Sequence, residues 1–314
     1  MRNHSWWPMA GFLISILISG VGLVLLPYVL PQFWIFFAAQ IMVWIIFAQS
    51  FNLLFGYTGL LSLGQSAYLT LGAYGFALLL REVGLGLPFL LIGGVLTSVM
   101  GAALIGYLAV RVQGHGFIIV TAVPTILLIL FGLDQSWLTG GDNGLNLTPP
   151  KLFGQYSFFS PITSYYVVLP FFGSVMLFLM WLIRTPLGYA FQLIRENENR
   201  SSILGYNVLR LKYIAFVIAG GIAGLAGALE ALITAYVVPN SASWTLSADA
   251  VIWTLVGGAG TLLGPIVGTT LLLLLREFLS DFWAYGYPLL LGIMLLLIVR
   301  FAPSGIMGEL KWWR

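Results

Sequence analysis

The chain has 314 residues, of which 60% are hydrophobic and only 7% are charged, and its mean hydropathy is +1.00. A soluble domain carries about 25% charged residues because its surface must face water, so a water-facing globule is excluded. The formal net charge of +3 comes from 13 basic residues that form no dense patch, which argues against nucleic acid as a partner. The composition indicates an integral, all-α membrane protein surrounded by lipid.

Apolar runs that are long enough to cross a bilayer recur along the whole chain. A membrane-spanning helix needs about 20 apolar residues. Eight runs meet this test, namely 9–27, 33–53, 59–80, 88–110, 116–133, 164–183, 213–236 and 286–302. No small-x-small cleavage site follows the first run, so we expect a retained first helix rather than a cleaved signal peptide.

The stretch 249–280 is too long for one ordinary span. The helix-breaking residues in its middle are Gly257, Gly258, Gly260, Gly264 and Pro265. We expect two shorter helices, or a half-helix pair that returns to one side. Such a break is tolerable in a membrane only where protein or a wet cavity satisfies the freed backbone groups.

Charge placement predicts which loops face the cytoplasm. Five of the 13 basic residues lie in the segment 184–212: Arg184, Arg195, Arg200, Arg210 and Lys212. The positive-inside rule makes this segment cytoplasmic and places the loops 134–163 and 237–248 outside. Both chain ends are then cytoplasmic only if 249–280 crosses twice or not at all. We therefore expect one membrane domain, 1–314, with ten spans, and with Arg81 and Arg276 outside beside Glu82 and Glu277.

Catalytic and cofactor motifs are missing. The chain contains no cysteine, and its two histidines, His4 and His115, belong to no cluster with metal-ligand spacing. It has neither a P-loop G-x-x-x-x-G-K-[ST] nor a hydrolase elbow G-x-S-x-G. We therefore expect no enzyme activity, no catalytic residue, no metal and no cofactor.

The cytoplasmic segment has the signals of a short helix. Thr185 can cap a helix that begins at Pro186, and Gly205 is a suitable residue to end it. Glu196 and Arg200 are spaced for a stabilising i, i+4 pair. An apolar end and a charged end suit docking on a soluble partner. By physics alone, a solvated connector that carries topology charges is an equal reading.

Two stretches, 56–75 and 220–228, are rich in glycine and alanine, which lets helices approach closely. Their similar places in the two halves hint at an internal repeat. The first stretch and its flank also hold polar residues at membrane depth, which should face neighbours or a polar path: Asn52, Ser62, Gln65, Ser66, Tyr68 and Thr70. Ion-coupled carriers usually need acids near the midplane, whereas Glu230 and Asp249 lie near the outer face. For Glu230 we favour an interfacial carboxylate in contact with water, and a role in the substrate path is the alternative.

Four blocks of the sequence together resemble one family. They are 52–65 with 72–74 (NLLFGYTGLLSLGQ and GAY), 138–144 (LTGGDNG), 185–205 (TPLG, then IRENE, then Gly205), and 257–265 (GGAGTLLGP) with 303–305 (PSG). In this order they resemble the permease subunits of branched-chain amino acid ABC importers of the LivM type. The related urea and short-chain amide permeases share this pattern. The resemblance covers roughly residues 40–308.

The resemblance implies a type-II-like ABC importer fold with about ten helices. It also implies a second permease subunit, two cytoplasmic ATPases, an external solute-binding protein and a bacterial inner membrane. The segment 185–205 would couple to an ATPase through Gly188, Arg195, Glu196, Asn197, Glu198 and Gly205. Two residues depart from the family pattern: Gln65 stands where histidine is frequent, and Glu230 where an uncharged residue is usual.

Three classes of function follow. The first is an ABC importer permease without its own catalytic activity, for branched-chain or other hydrophobic amino acids, with urea or short-chain amides as the alternative cargo. The second is an ATP-independent carrier or channel, and the third is a membrane enzyme. In the first class, the substrate path would be lined or braced by Asn52, Ser62, Gln65, Ser66, Thr70 and Glu230.

Overall fold

The computed structural model describes residues 20–84, 86–112, 114–148 and 160–280, together with Gly286, Leu289, Gly292, Ile293, Leu296, Arg300 and 304–309. Most residues of the predicted last span, 286–302, and of the first, 9–27, lie outside the described residues. The retained first helix and the positions of the two chain ends are therefore still predictions.

The described chain is almost entirely helical. Its helices are α1 (Gln32–Asn52), α2 (Gln65–Glu82), α3 (Leu87–Ala109), α4 (His115–Asp134), α5 (Ser136–Thr139), α6 (Pro161–Ile183), α7 (Pro186–Glu196), α8 (Glu198–Ile203), α9 (Val208–Thr234), α10 (Trp244–Gly257), α11 (Gly264–Ser280) and α12 (Ile306–Glu309). Two short strands, β1 (Leu145–Asn146) and β2 (Tyr236–Val237), pair antiparallel. A wide π-turn, Leu53–Tyr57, continues α1.

Five of the described helices are long and apolar enough to cross a membrane: α1 with its π-turn, α3, α4, α6 and α9. Each coincides with a predicted span, which confirms a multi-pass membrane protein. The helix in the predicted span 59–80 begins later than expected, at Gln65, and it is not among the five helices that meet this test. Residues 59–64 are not helical, because Gly59 has a φ of 75° and turns the chain away from the preceding π-turn.

The small residues of α2, α3 and α9 form the central packing surface. Gly72 lies against Gly224, and Gly227 lies against the Leu69 carbonyl. On α3, Gly94 lies against Ala228. A Cβ at any of these glycines would collide with the neighbouring helix. The close helix approach that the small residues predict is therefore confirmed, and the two glycine-rich stretches pack against each other with their backbones in contact.

The predicted break in 249–280 is confirmed. Helix α10 ends at Gly257, α11 begins at Gly264, and the link between them contains Gly258 and Gly260 with φ of 119° and 82°. The two helices fold back on each other. Glycines again allow the close approach: Gly257 lies against the Gly264 backbone and Gly268 against the Trp253 carbonyl.

Two groups of connections lie at opposite ends of α9, whose 27 residues span about 40 Å. At its carboxyl end, the β1–β2 pair joins the loops that follow α4 and α9. At its amino end, Lys212 pairs with Glu198 of α8. The two loops that were predicted to share one side of the membrane therefore lie together, and α7 and α8 lie at the other end.

Replacing Gly227 by alanine should destabilise the bundle, because the new Cβ would meet the Leu69 carbonyl. Overpacking of this kind costs about 1 to 3 kcal/mol. We expect a lower thermal unfolding temperature in detergent. The matched control is Gly173→Ala in α6, where open space surrounds the glycine. An equal loss of stability in both variants would contradict the close packing of α2 and α9.

Candidate functional site

Two short helices form the segment between α6 and α9. The Thr185 hydroxyl accepts a hydrogen bond from the Gly188 amide at 3.4 Å, and Pro186 is the first residue of α7, as predicted. A single helix to Gly205 was wrong: α7 ends at Glu196, where Asn197 is extended with φ −160° and ψ 106°. Asn197 Oδ1 then caps α8 by accepting from the Arg200 amide at 2.9 Å.

The predicted Glu196–Arg200 pair is also wrong, because the break at Asn197 puts these residues on different helices. The carboxylate that does form an ion pair is Glu198, which lies 2.6 Å from Lys212 Nζ. The Lys212 side chain is only 5% exposed. This pair fastens α8 to the first turn of α9. Gly205, with a φ of 89°, follows the end of α8 as predicted.

Apolar side chains are exposed on this segment, outside the spans on either side of it. Those with the largest exposed fractions are Tyr189 (58%), Ile203 (86%), Leu204 (63%) and Tyr206 (43%). Exposed apolar patches away from lipid usually mark contact surfaces. We call these four side chains the apolar patch of the coupling segment.

Arg195 reaches from α7 to the end of α1. Its guanidinium Nη1 donates to the Gly56 carbonyl, which lies in the π-turn Leu53–Tyr57. The aliphatic part of its side chain lies beside Gly59, where an added Cβ would be 3.5 Å from Arg195 Cγ. Carbonyls in the last turn of a helix lack intrahelical partners, and a cation there is favourable.

Three of the predicted path residues use their polar atoms within the protein. Asn52 is fully buried and bonds to the α10–α11 link. The Ser66 hydroxyl donates to the Ala242 carbonyl at 3.0 Å, and the Ser66 backbone amide donates to Ser247 Oγ at 2.9 Å. Ser62 Oγ accepts from the Gly64 amide at 3.2 Å. These side chains brace the fold at their present positions.

The other three predicted path residues carry buried polar atoms without partners among the described residues. These atoms are Gln65 Nε2, Thr70 Oγ1 and Glu230 Oε2. The reading of Glu230 as a carboxylate in contact with water does not hold for Oε2, which is buried. Gln65 Oε1 does accept a hydrogen bond from the Ser50 hydroxyl at 3.4 Å. The polar residues are therefore of two kinds: internally bonded braces, and residues that each carry one buried polar atom without a partner in the described part of the chain.

Sequence reasoning missed Gln49, Trp253 and Thr269. Gln49 is 1% exposed and bonds to the α10–α11 link, and Trp253 Nε1 and Thr269 Oγ1 are buried without partners. The sequence does contain a signal for Gln49: it precedes Asn52 by three residues, so both amides lie on one face of a largely apolar helix. Among the described residues, no three His, Asp or Glu side chains come together to hold a metal ion.

Comparison with known proteins gives the family. A family model described as the permease component of the branched-chain amino acid transport system matches residues 33–299. The chain belongs to this family. It is therefore a multi-pass transport permease, in agreement with the resemblance drawn from its motifs.

Individual relatives agree with the family. The high-affinity branched-chain amino acid transport system permease proteins LivM of Salmonella typhimurium and Escherichia coli are each 30% identical to this permease, over 94% of this chain and 74% of theirs. A probable branched-chain amino acid transport permease LivM of Methanocaldococcus jannaschii is 26% identical, over 72% of this chain and 70% of its own. No solved structure matches the permease.

Glu198→Gln should lower the stability of the permease, because it leaves the buried Lys212 ammonium without its carboxylate. Removing the partly exposed partner of such a pair costs about 1 to 3 kcal/mol, because the buried partner loses its counter-charge. Thermal unfolding in detergent measures the loss. Glu196→Gln is the matched control, since Glu196 is exposed on the preceding turn. Equal unfolding temperatures for the two variants would contradict the role of the pair.

Proposed function

We propose that the chain is the membrane-embedded subunit of an ATP-driven importer of branched-chain or other hydrophobic amino acids, without catalytic activity of its own. The observation that carries this proposal is the family match over residues 33–299. The printed names of the LivM relatives supply the cargo class. Urea or a short-chain amide is the alternative cargo, because the sequence motifs resemble those permeases as well.

The architecture we propose is a single type-II-like domain, 1–314, with ten spans in a bacterial inner membrane. The α10–α11 hairpin supplies two shortened crossings of the membrane. The total number of crossings is then even, so both chain ends are cytoplasmic. Three observations support this arrangement: the five long apolar helices, the hairpin, and the separation of the β1–β2 end from the α7–α8 end. The segment 184–212 is then cytoplasmic.

The proposed assembly contains a second permease subunit, two cytoplasmic ATPases and an external solute-binding protein. ATP hydrolysis takes place in the ATPases, since the sequence has no P-loop. The coupling segment presents an exposed apolar patch and exposed charges at Arg195 and Glu196 for docking. The proposed coupling residues are Gly188, Arg195, Glu196, Asn197, Glu198 and Gly205.

The substrate path we propose involves Gln65, Thr70 and Glu230. A buried polar atom without a partner costs free energy, so its retention indicates a use in another state or with a ligand. Donors and a carboxylate suit the ionic groups of an amino acid. The braces Asn52, Ser62 and Ser66 hold the surrounding helices in place.

Reconstitution tests the proposed function. Proteoliposomes that contain this permease, its partner permease and the two ATPases should take up labelled leucine only when ATP and the solute-binding protein are both supplied. Uptake driven by a sodium or proton gradient without the ATPases would contradict the proposal and favour a secondary carrier. Binding of leucine, urea or acetamide to the solute-binding protein decides the cargo.

Ile203→Asp should prevent docking of the ATPases, because it replaces the most exposed apolar side chain of the patch by a charged one. We expect the co-expressed ATPases to be lost when the permease is purified in detergent, with an unchanged thermal unfolding temperature. Asn199→Asp on the same helix is the control, since it adds a charge at an exposed polar position. Full retention of the ATPases by Ile203→Asp would contradict docking at this patch.

A further inference from the structure

The link between α10 and α11, residues 258–263, has backbone groups that its own helices do not satisfy. The Gly260 amide donates to Asn52 Oδ1 at 2.8 Å, and Asn52 Nδ2 donates to the Thr261 carbonyl at 2.9 Å. One side-chain amide therefore pairs with two consecutive residues of the link, as a neighbouring strand would. Asn52 is fully buried, so water does not replace these bonds.

Gln49 extends this pairing by one residue. Its Nε2 donates to the Leu262 carbonyl at 2.6 Å, and its Oε1 accepts from Asn52 Nδ2 at 3.2 Å. Because the two amides are almost one turn apart on α1, they face the link together. Three consecutive residues of the link are thus held by α1.

The same end of α1 is in contact with α7. Arg195 Nη1 donates to the Gly56 carbonyl. An added Cβ on Gly56 would collide with Asn52 Oδ1, and one on Gly260 would collide with Arg195 Nη1. The guanidinium, the Gly56 carbonyl and the link therefore touch each other directly. No space is left between these groups, so α7 cannot move relative to the link without displacing it.

We infer that Arg195, Asn52 and Gln49 are positioning residues that connect α7 to the α10–α11 link, so that a displacement of α7 moves the link. This inference rests on the proposed function in one respect, namely that an ATPase displaces α7. Arg195 is exposed on its other side, so a partner can reach it while its Nη1 stays bonded. Charged donors form the stronger hydrogen bonds, which suits a contact that must transmit motion. In this inference, Asn52 holds the α10–α11 link in place and does not bind the cargo.

Distance measurements between spin labels test the connection in the full chain alone. The chain contains no cysteine, so Tyr189→Cys on α7 and Leu263→Cys on the link can be labelled specifically, and both sites are exposed. In lipid nanodiscs, double electron–electron resonance should give one narrow distance distribution for the parent. Adding Asn52→Leu or Arg195→Gln should broaden or shift it. The control Ser50→Ala removes a buried α1 hydroxyl that donates to the Phe47 carbonyl and to Gln65 Oε1, neither of which belongs to α7 or to the link, and it should leave the distribution unchanged.

Unchanged distributions in both variants would overturn the inference. This measurement needs neither ATPase nor cargo, so a failed reconstitution would refute the proposed function without affecting it. Arg195→Gln lies at the protein surface and keeps the test decisive if Asn52→Leu does not fold.

Coupled transport gives a second readout that a merely structural role would not change. In the reconstituted importer, Asn52→Leu and Arg195→Gln should lower leucine uptake per ATP hydrolysed about fivefold or more, since the loss of one net hydrogen bond shifts an equilibrium by about that factor. ATP hydrolysis should continue in Asn52→Leu, because Asn52 is buried and is not among the proposed docking residues. A proportional fall of uptake and hydrolysis in Asn52→Leu would overturn the connection.

Discussion

A polypeptide inside a bilayer must satisfy its backbone hydrogen bonds within the protein, because lipid offers none. In this permease the constraint is most severe at the α10–α11 link, where glycines interrupt a long apolar stretch. The side chains of Gln49 and Asn52 meet it by bonding to Gly260, Thr261 and Leu262. Without these two amides, backbone groups of the link would lose their hydrogen-bond partners. The position of the hairpin beside α1 therefore depends on them.

The packing of α2, α3 and α9 meets a different requirement, namely close contact between helix surfaces. Between α2, α3 and α9, regular helices already satisfy their own backbone groups, and glycines and alanines let the helix surfaces touch. That region is held by close packing, and a methyl group added at Gly72 or Gly227 would meet the backbone of the neighbouring helix. The link region is held by a few directional bonds. A protein that must change which side it opens to has use for both: a packed body, and a polar connection whose geometry can shift as a unit.

Much of the fold followed from sequence because apolar length, glycine chemistry and charge placement are local signals. They located the five described long spans, the broken crossing and the cap at Thr185. Two features escaped. The first is the break at Asn197. The local sequence is compatible with an asparagine that continues α7 and equally with one that caps a new helix. Bracing and lining residues were also indistinguishable, because Asn52 and Gln65 are both buried amides whose partners lie far away in the chain. Only the packing of α1 on the link separates them.

Amide hydrogen exchange of the permease in lipid nanodiscs tests most directly whether α1 satisfies the backbone of the break. We expect the Gly260 amide, which donates to the fully buried Asn52 side chain, to exchange as slowly as the amides of the flanking helices. The solvent-exposed turn at 203–206 provides the fast reference in the same experiment. Exchange of the Gly260 amide at the rate of that turn would contradict this expectation, because the amide would then be open to water and not held by Asn52.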